Sequence, residues 1–588
     1  MAEYAAPVKD MQFVLEKVVG LAEVNTLPGW EDVTPDIVEA VLGEAARFAE
    51  EVLSPLNASG DKQGVRLTES GVVTAPGFKE AYWKFAEGGW GNVLAPSEFG
   101  GQGLPGALAT PVEEMWASAN LAFKLCPMLT IGAIESLHRN ASEAMQQRFL
   151  PAMVEGRWAG TMNLTEPQAG SDLSQVRTKA VPGPDGTYRI TGQKIFITYG
   201  DQDYTENIIH LVLARIDGAP EGVKGISLFV VPKVLVNDDG SLGARNGVNC
   251  VSLEHKLGIH ASPTAVMAYE DATGYLVGEA NRGLEYMFVM MNAARLGVGL
   301  EGVAIAERAY QRARDYARER VQGRPLGQAK AMPILHHPDV KRMLLTMKAG
   351  AEASRALAYQ VSVLLDRARR HPEEGERRRC QAMVDLLIPV VKGWSTELGV
   401  EIASLGVQVH GGMGFIEETG AAQHLRDARI STIYEGTTGI QANDLVGRKV
   451  GREAGATAKA FAAQVRAALP ALAAGDEDLR AIGRRLEAAV ADFERAVDWI
   501  VVTFPANAPA VGAGSVAFLM LAGYVAGGWM MARSALAAAA GEGDPAFLAA
   551  KRLTARFYAD HLLTRTSGLA ESVVAGAGSV VAAGDEIF

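Results

Sequence analysis

Near residue 160 the helical spacing of the apolar side chains gives way to short β-branched runs and a stretch of period-two alternation, and helical spacing returns at Gly283. That change of period fixes a β unit inside a helical chain. Pro184-Asp-Gly186 is a turn signal, followed by Tyr188, Ile190 and Gln193-Lys-Ile-Phe-Ile-Thr198. Ile208 to Ile216, Ile226 to Val231, Asn249 to Leu253 and Ala265 to Tyr269 are further short β-rich runs between Gly, Pro and Asp. Such a series predicts a compact antiparallel barrel or sandwich. Ile37 to Leu53 and Val112 to Leu137 read as helices before it. After it, Leu300 to Arg320, Val340 to Arg369 and Cys380 to Leu405 suit a helix bundle. Beyond Gly451 the chain turns alanine-rich and stays helical, with loops at Gly475-Asp-Glu-Asp and Gly541-Glu-Gly-Asp. The expected fold is mainly α with a central β-barrel domain. Its expected segments are 1–158 (helical), 159–280 (β-barrel), 281–450 (helix bundle) and 451–588 (helical extension).

A chain of 588 residues exceeds what one core supports, so several domains are expected. A formal charge of −12 argues against general affinity for nucleic acid, which rewards a basic surface. Cys126, Cys250 and Cys380 are far apart and odd in number, which favours a reducing compartment and a cytoplasmic location. Glu3, Lys9, Asp10, Glu16 and Lys17 interrupt the N-terminus, so no secretory apolar core forms there. Trp499 to Ala532 carries no charge and is long enough to cross a bilayer of about 30 Å. Pro505, Asn507, Pro509 and the glycines at 512, 514, 523, 527 and 528 are expected to break it into a buried helix pair.

Two G-x-G-x-x-G matches, Gly101 to Gly106 and Gly297 to Gly302, lack the strand–turn–helix context of a dinucleotide fingerprint and read as chance. His336-His337-Pro338 reads as a helix entry with Pro338 in the first turn; no metal site is expected. Three stretches carry more. Met162-Asn-Leu-Thr-Glu-Pro-Gln-Ala-Gly-Ser-Asp172 is either a polar-ligand loop or a locally capped one. In Gly192-Gln-Lys-Ile-Phe-Ile-Thr198, period two puts Phe196 and Thr198 on one face, which suits a flat heteroaromatic ring or a half-buried strand. In Arg426 to Gln441, Glu435 follows Ile433 and Tyr434; apolar neighbours raise a carboxylate's pKa toward that of a useful base.

In this order and spacing, these stretches resemble the acyl-CoA dehydrogenase family over roughly residues 35 to 450. Further matching stretches are Pro96-Ser-Glu-Phe-Gly-Gly-Gln-Gly-Leu104, Lys256-Leu-Gly-Ile-His-Ala-Ser262, Arg320-Val-Gln322 and Gln408-Val-His-Gly-Gly-Met-Gly-Phe415. The resemblance implies a helical domain, a β-barrel and a four-helix bundle, with FAD as cofactor. It implies Glu435 as the catalytic base. It implies flavin contacts at Met162, Leu164, Thr165, Gly170, Ser171, Phe196, Ile197, Thr198 and Thr437. Arg320, Gln408, Gly411 and Gly412 match positions that hold the flavin's ADP part across a subunit interface. Substrate contacts are implied at Ser171, Arg295, Tyr434 and Gly436. Phe196 stands where many members have Trp, and Gly439 where Gln is common, so the latter contact is not carried over.

The implied reaction is α,β-dehydrogenation of an acyl-CoA thioester to the trans-2-enoyl-CoA, with electrons leaving to an electron-transferring flavoprotein. The N-terminal Tyr4-Ala-Ala-Pro-Val-Lys-Asp-Met-Gln-Phe-Val-Leu15 and the C-terminal extension are similar to a subgroup acting on 3-methylmercaptopropionyl-CoA in dimethylsulfoniopropionate breakdown. Extended members acting on ordinary fatty acyl chains are the alternative. An oxidase using oxygen and a flavoprotein binding DNA in the alkylation response are further readings; the acidic balance opposes the second. The extension is also readable as a docking module for a membrane partner. An extension lying over the bundle surface through which simpler members form tetramers favours a homodimer.

Overall fold

The computed structural model describes residues 4–541 and 543–588; Glu3 and Glu542 of the sequence readings above lie outside the described residues. The chain divides into two compact units. One comprises residues 47–105 and 119–297, the other residues 1–46, 106–118 and 298–588.

The first unit holds the β region. Its strands are β1 (Trp158–Asn163), β2 (Lys179–Pro182), β3 (Tyr188–Thr198), β4 (Asn207–Ile216), β5 (Ile226–Pro232), β6 (Val248–Leu253) and β7 (Thr264–Leu276). The pairing β7–β3–β2–β4–β5 returns from β5 to β7, so five strands close a ring. Closure removes the unpaired edges that an open sheet would present. β6 adds to β7 and β1 to β4. The barrel is not purely antiparallel as its short strands suggest: β1 pairs parallel with β4, and β2 parallel with β4. Ile190, Ile197, Val212, Phe229, Val231 and Met267 fill one core of this unit. A small hairpin, Arg66–Thr68 with Gly71–Val73, interrupts the helical part that precedes β1.

The second unit is helical. Helix α1 (Gly283–Glu319) enters it and is followed by α2 (Pro338–Arg370) and α3 (Glu374–His410), each longer than its periodic stretch indicated. Pro338 opens α2, where its missing N–H costs nothing. Gly299 and Gly302, part of the second chance glycine match, are packing residues. A Cβ on Gly302 would sit 2.3 Å from the Ser395 carbonyl oxygen, so their lack of side chain lets α1 and α3 touch. After α4 (Thr438–Asp444) come α5 (Glu477–Thr503), α6 (Ser515–Ala539) and α7 (Pro545–His561).

The uncharged stretch breaks where Pro505, Asn507 and Gly514 were read as breaks, but Gly523, Gly527 and Gly528 lie inside α6. These three glycines admit bulky neighbours: added Cβ atoms would fall 2.1 Å from Trp394, 2.4 Å from Tyr558 and 2.6 Å from Leu563. The most apolar window of α6 is 83% buried in the protein, so this helix belongs to a packed core. It packs on α2, α3 and α7.

A buried ionic cluster joins five segments of this unit. The Arg355 guanidinium on α2 donates to Glu114 (2.6 Å), Glu307 (2.8 Å) and Asp10 (2.8 Å). Lys551 on α7 donates to Asp10 (2.6 Å) and Glu352 (2.7 Å), and Lys348 pairs with Glu352. Tyr359 donates to the other oxygen of Glu114 at 2.7 Å. Burial pushes Asp10 toward a higher pKa, but Lys551, Arg355 and Lys348 together outweigh it and hold the carboxyl below its ordinary range. A carboxyl depressed on folding stabilises above its unfolded pKa of 3.8, and that contribution is lost as pH falls below it. Asp10→Ala is therefore expected to destabilise this unit by about 1–3 kcal/mol at neutral pH, because it removes one carboxylate from two buried cations that keep their other partners. Asp10→Asn is expected to flatten the acid limb of stability below about pH 4. Urea midpoints at several pH values read both effects.

Candidate active site

The residues that the resemblance singles out fall into two groups, one in each compact unit. In the helical unit, the chain leaves the helix Ala421–Ala428 through a short 3-10 turn and reaches Tyr434-Glu-Gly-Thr437. Thr437 caps α4, its hydroxyl accepting from the Ile440 N–H at 3.2 Å. Glu435 has φ +54° and Gly436 φ +89°, so two successive residues are left-handed. Glycine adopts this freely, but a glutamate does so at a cost of order 1 kcal/mol or more. A Cβ on Gly436 would also meet the Gln441 amide at 2.6 Å. The Glu435 side chain is half-buried. Tyr434 donates its hydroxyl to the buried Glu301 on α1. Burial first, and then the neighbouring Glu301 carboxylate, push the Tyr434 phenol well above its ordinary pKa, so it remains a donor.

Elsewhere in this unit, Arg320 follows the end of α1 and is exposed, with a long contact to Gln322 at 3.4 Å. Gln408 is exposed on the last turn of α3. Gly411 ends that helix at φ +60°, and added Cβ atoms on Gly411 or Gly412 would meet nothing within 4 Å. This is open, accessible backbone. Gly439 likewise has room for a larger side chain, an added Cβ meeting only the Thr437 hydroxyl at 3.8 Å.

In the β unit, Met162 lies on β1, and Leu164, Thr165, Gly170 and Ser171 on the loop after it. Glu166 organises that loop. Its carboxylate accepts from Lys194 Nζ (2.9 Å), the Thr178 hydroxyl (2.6 Å) and the backbone N–H groups of Arg177 (2.7 Å) and Thr178 (3.0 Å). Lys194 also donates to the Leu164 carbonyl at 2.9 Å. Asp172 accepts from the Ser174 N–H, the local cap that its sequence suggested. Gly170 has nothing within 4 Å of an added Cβ, and the Ser171 side chain is exposed.

β3 departs from a simple strand at this point. Opposite β7 the register jumps between Ala265↔Ile197 and Met267↔Lys194, so Ile195 and Phe196 form a bulge. Strict period two would place Lys194 and Phe196 on one face. The bulge instead buries Lys194 and turns Phe196 outward, with φ +59° and the residue 59% exposed. Ile197 is buried in the barrel core and Thr198 is half-buried. Arg295 is buried on α1. The sequence reading gives no role to Glu166, Lys194, Glu301, Lys392 or Gln441. Glu301 and Lys392 stand in no linear motif, whereas Glu166, Lys194 and Gln441 lie inside the stretches 162–172, 192–198 and 426–441. Only the folded chain shows that these five are buried groups tied to the proposed site residues or the loops that carry them.

Burial pushes the Lys194 ammonium down to about 8 against the opposing pull of Glu166. Glu166 stays below its ordinary value because Lys194 and the donors around it outweigh burial. Lys194→Met is expected to cost about 3–5 kcal/mol by leaving Glu166 buried without its cation. It should also loosen the 164–171 loop. The unfolding midpoint reads the first effect, and limited proteolysis within that loop reads the second.

Comparison with known proteins identifies the family. Residues 36–157, 161–272 and 281–450 match the acyl-CoA dehydrogenase N-terminal, middle and C-terminal domains. Residues 455–583 match an acetyl-CoA dehydrogenase C-terminal-like domain. The chain is 52% identical to 3-methylmercaptopropionyl-CoA dehydrogenase of Ruegeria pomeroyi over 96% of its length and 97% of that protein. It is 35% identical to a broad-specificity linear acyl-CoA dehydrogenase of Mycobacterium tuberculosis, over 97% and 98%. Among solved structures, an acyl-CoA dehydrogenase of Bacillus anthracis complexed with FAD superposes with a TM-score of 0.76. That match is 21% identical and covers 98% of this chain and 93% of the other. The chain belongs to the acyl-CoA dehydrogenase family and is an enzyme acting on the CH–CH bond of an acyl-CoA.

Proposed function

We propose that this enzyme carries out FAD-dependent α,β-dehydrogenation of 3-methylmercaptopropionyl-CoA to methylthioacryloyl-CoA, with Glu435 as the base. The observation that carries the base assignment is the left-handed turn at Glu435 and Gly436, a strained conformation at a half-buried carboxylate. The near full-length 52% identity to the Ruegeria pomeroyi enzyme supports the thioether substrate.

The residues present fit a flavin. Phe196 offers an exposed ring on a bulge, Gly170 leaves open backbone and Ser171 an exposed hydroxyl. Met162, Leu164, Thr165, Ile197, Thr198 and Thr437 complete the proposed contacts. Arg320, Gln408, Gly411 and Gly412 are accessible to the ADP part of a flavin held by a partner subunit. When bound, FAD supplies the acceptor for the β-hydride. Glu435 takes the α-proton: the Cα–H bond breaks and a carboxyl O–H forms. The backbone N–H of Glu435 polarises the thioester carbonyl, which makes that proton acidic enough to move. Ser171, Arg295, Tyr434 and Gly436 are the proposed substrate contacts. Electrons leave to an electron-transferring flavoprotein. The proposed location is the cytoplasm, and the four sequence segments are the proposed domains.

The assembly we propose is a homodimer, since α6 covers a face of α2 and α3. A mass measurement in solution that returns a tetramer or a stable monomer overturns it. A second reading, dehydrogenation of straight-chain fatty acyl-CoA, is favoured by the similarity to the Mycobacterium tuberculosis enzyme. Anaerobic bleaching of the flavin by 3-methylmercaptopropionyl-, butyryl-, octanoyl- and palmitoyl-CoA separates the two. The thioether substrate is expected to bleach fastest, and a faster octanoyl-CoA moves the assignment to fatty acyl chains. Glu435→Gln is expected to slow bleaching by about 10²–10⁴-fold with the flavin retained.

A further inference from the structure

Lys392 lies on α3 and is wholly buried, yet none of the proposed contacts with substrate or flavin uses it. Its ammonium donates to the carbonyl oxygen of Gly436 at 2.7 Å. The wholly buried Gln441, from α4, donates to the carbonyls of Glu435 (3.1 Å) and Gly436 (3.3 Å). Two donors from two different helices thus converge on the peptide carbonyls next to Glu435. On the other side of that residue, the Tyr434 hydroxyl is bound by Glu301 of α1.

The convergence matches the conformational problem at this turn. Glu435 at φ +54° is held in a region that an L-residue with a long side chain leaves when nothing restrains it. Relaxing to right-handed φ would swing both its side chain and its N–H, because both are attached at the rotating centre. It would also turn the Gly436 carbonyl away. A charge-assisted bond to that carbonyl is shorter and stronger than a neutral one, and its donor is wholly buried.

We infer that Lys392 is a positioning residue for Glu435: by fixing the Gly436 carbonyl it holds the left-handed turn that aims the base. The inference rests on the reading of Glu435 as the base, so its test must separate the two. A 3-thiaacyl-CoA serves, since sulfur stands at the β position and no β-hydride can leave. In D2O the base removes an α-proton and returns a solvent deuteron, so Cα exchange reports the base without any redox step.

On the flavin-loaded enzyme, Lys392→Met is expected to slow exchange by about 10²-fold, the size of effect expected from misplacing a reacting group by about 1 Å. The dissociation constant of the 3-thiaacyl-CoA and the flavin content should stay within about threefold of wild type, which loss of a merely structural residue would not give. Lys392→Gln keeps a donor on a shorter arm and is expected to fall between wild type and Lys392→Met. Exchange by Lys392→Met within threefold of wild type overturns the inference, as does an equal loss of binding and exchange. Should Lys392→Met not fold, Lys392→Gln decides: a rate at least about threefold below wild type with binding intact supports the inference, and a wild-type rate overturns it. If Glu435→Gln still exchanges, the base assignment itself fails. If Glu435→Gln is silent and Lys392→Met is not slowed, only the positioning role fails.

Discussion

The Arg355 guanidinium is the constraint on which the helical unit depends. Its donors meet three carboxylates from three separate stretches, Asp10, Glu114 and Glu307, while Lys551 reaches Asp10 and Glu352 from the far end of the chain. With Lys348, three cations stand against four carboxylates. Burial raises the pKa of Glu114 even with Arg355 against it. Replacing such a cluster by well-packed apolar groups is often neutral or favourable for stability, so its main contribution is register. Its bonds tie together the N-terminal segment, residues 106–118, α1, α2 and α7. The C-terminal extension is thereby built into the unit.

Each group of proposed site residues contains a strained backbone. Glu435 in the helical unit and Phe196 in the β unit are both non-glycine residues with φ near +55°. A buried lysine lies near each strained point, though only the first bonds to the strained turn itself. Lys392 holds the Gly436 carbonyl, and Lys194 sits two residues before Phe196, bound to Glu166 and the Leu164 carbonyl. A buried ammonium is costly and finds its partners wherever they are, so it suits the task of holding a carbonyl in place. At Glu435 the lysine bonds the turn; in the β unit it bonds the 164–171 loop.

Much of this was legible in the sequence because it depends on local pattern. The change near residue 160 from helical spacing to short β-branched runs between turn residues marked the strands, and Pro338 marked the start of α2. The motif stretches were recognised as a colinear set, and the comparisons bear out the family. What could not be read depends on distant partners. Lys392 lies 44 residues from Gly436, Glu301 133 residues from Tyr434, and Lys194 28 residues from Glu166. Nothing local distinguishes these residues from surface charges. The bulge at Ile195 and Phe196 was hidden for a related reason: alternation in one strand says nothing of the register of its neighbour. The parallel pairing of β1 with β4 depends on where a long connection returns, which the strand's own residues do not specify.

The glycines of α6 show how one residue type misleads in one setting and informs in another. In a sequence, Gly523, Gly527 and Gly528 read as interruptions of an apolar run, since glycine lowers helix propensity by about 1 kcal/mol relative to alanine. In the folded chain that loss is offset by contact. Gly523 and Gly527 accept the indole of Trp394 from α3 at distances that no Cβ would allow, and Gly393 next to it accepts Leu519. Small residues on both helices bring their backbones close and bury the largest side chain between them. An apolar helix of this length needs a partner surface or a bilayer; here α2, α3 and α7 supply the surface. The face of the bundle around Trp394 is consequently an internal interface, and any assembly of this enzyme must be built through other surfaces.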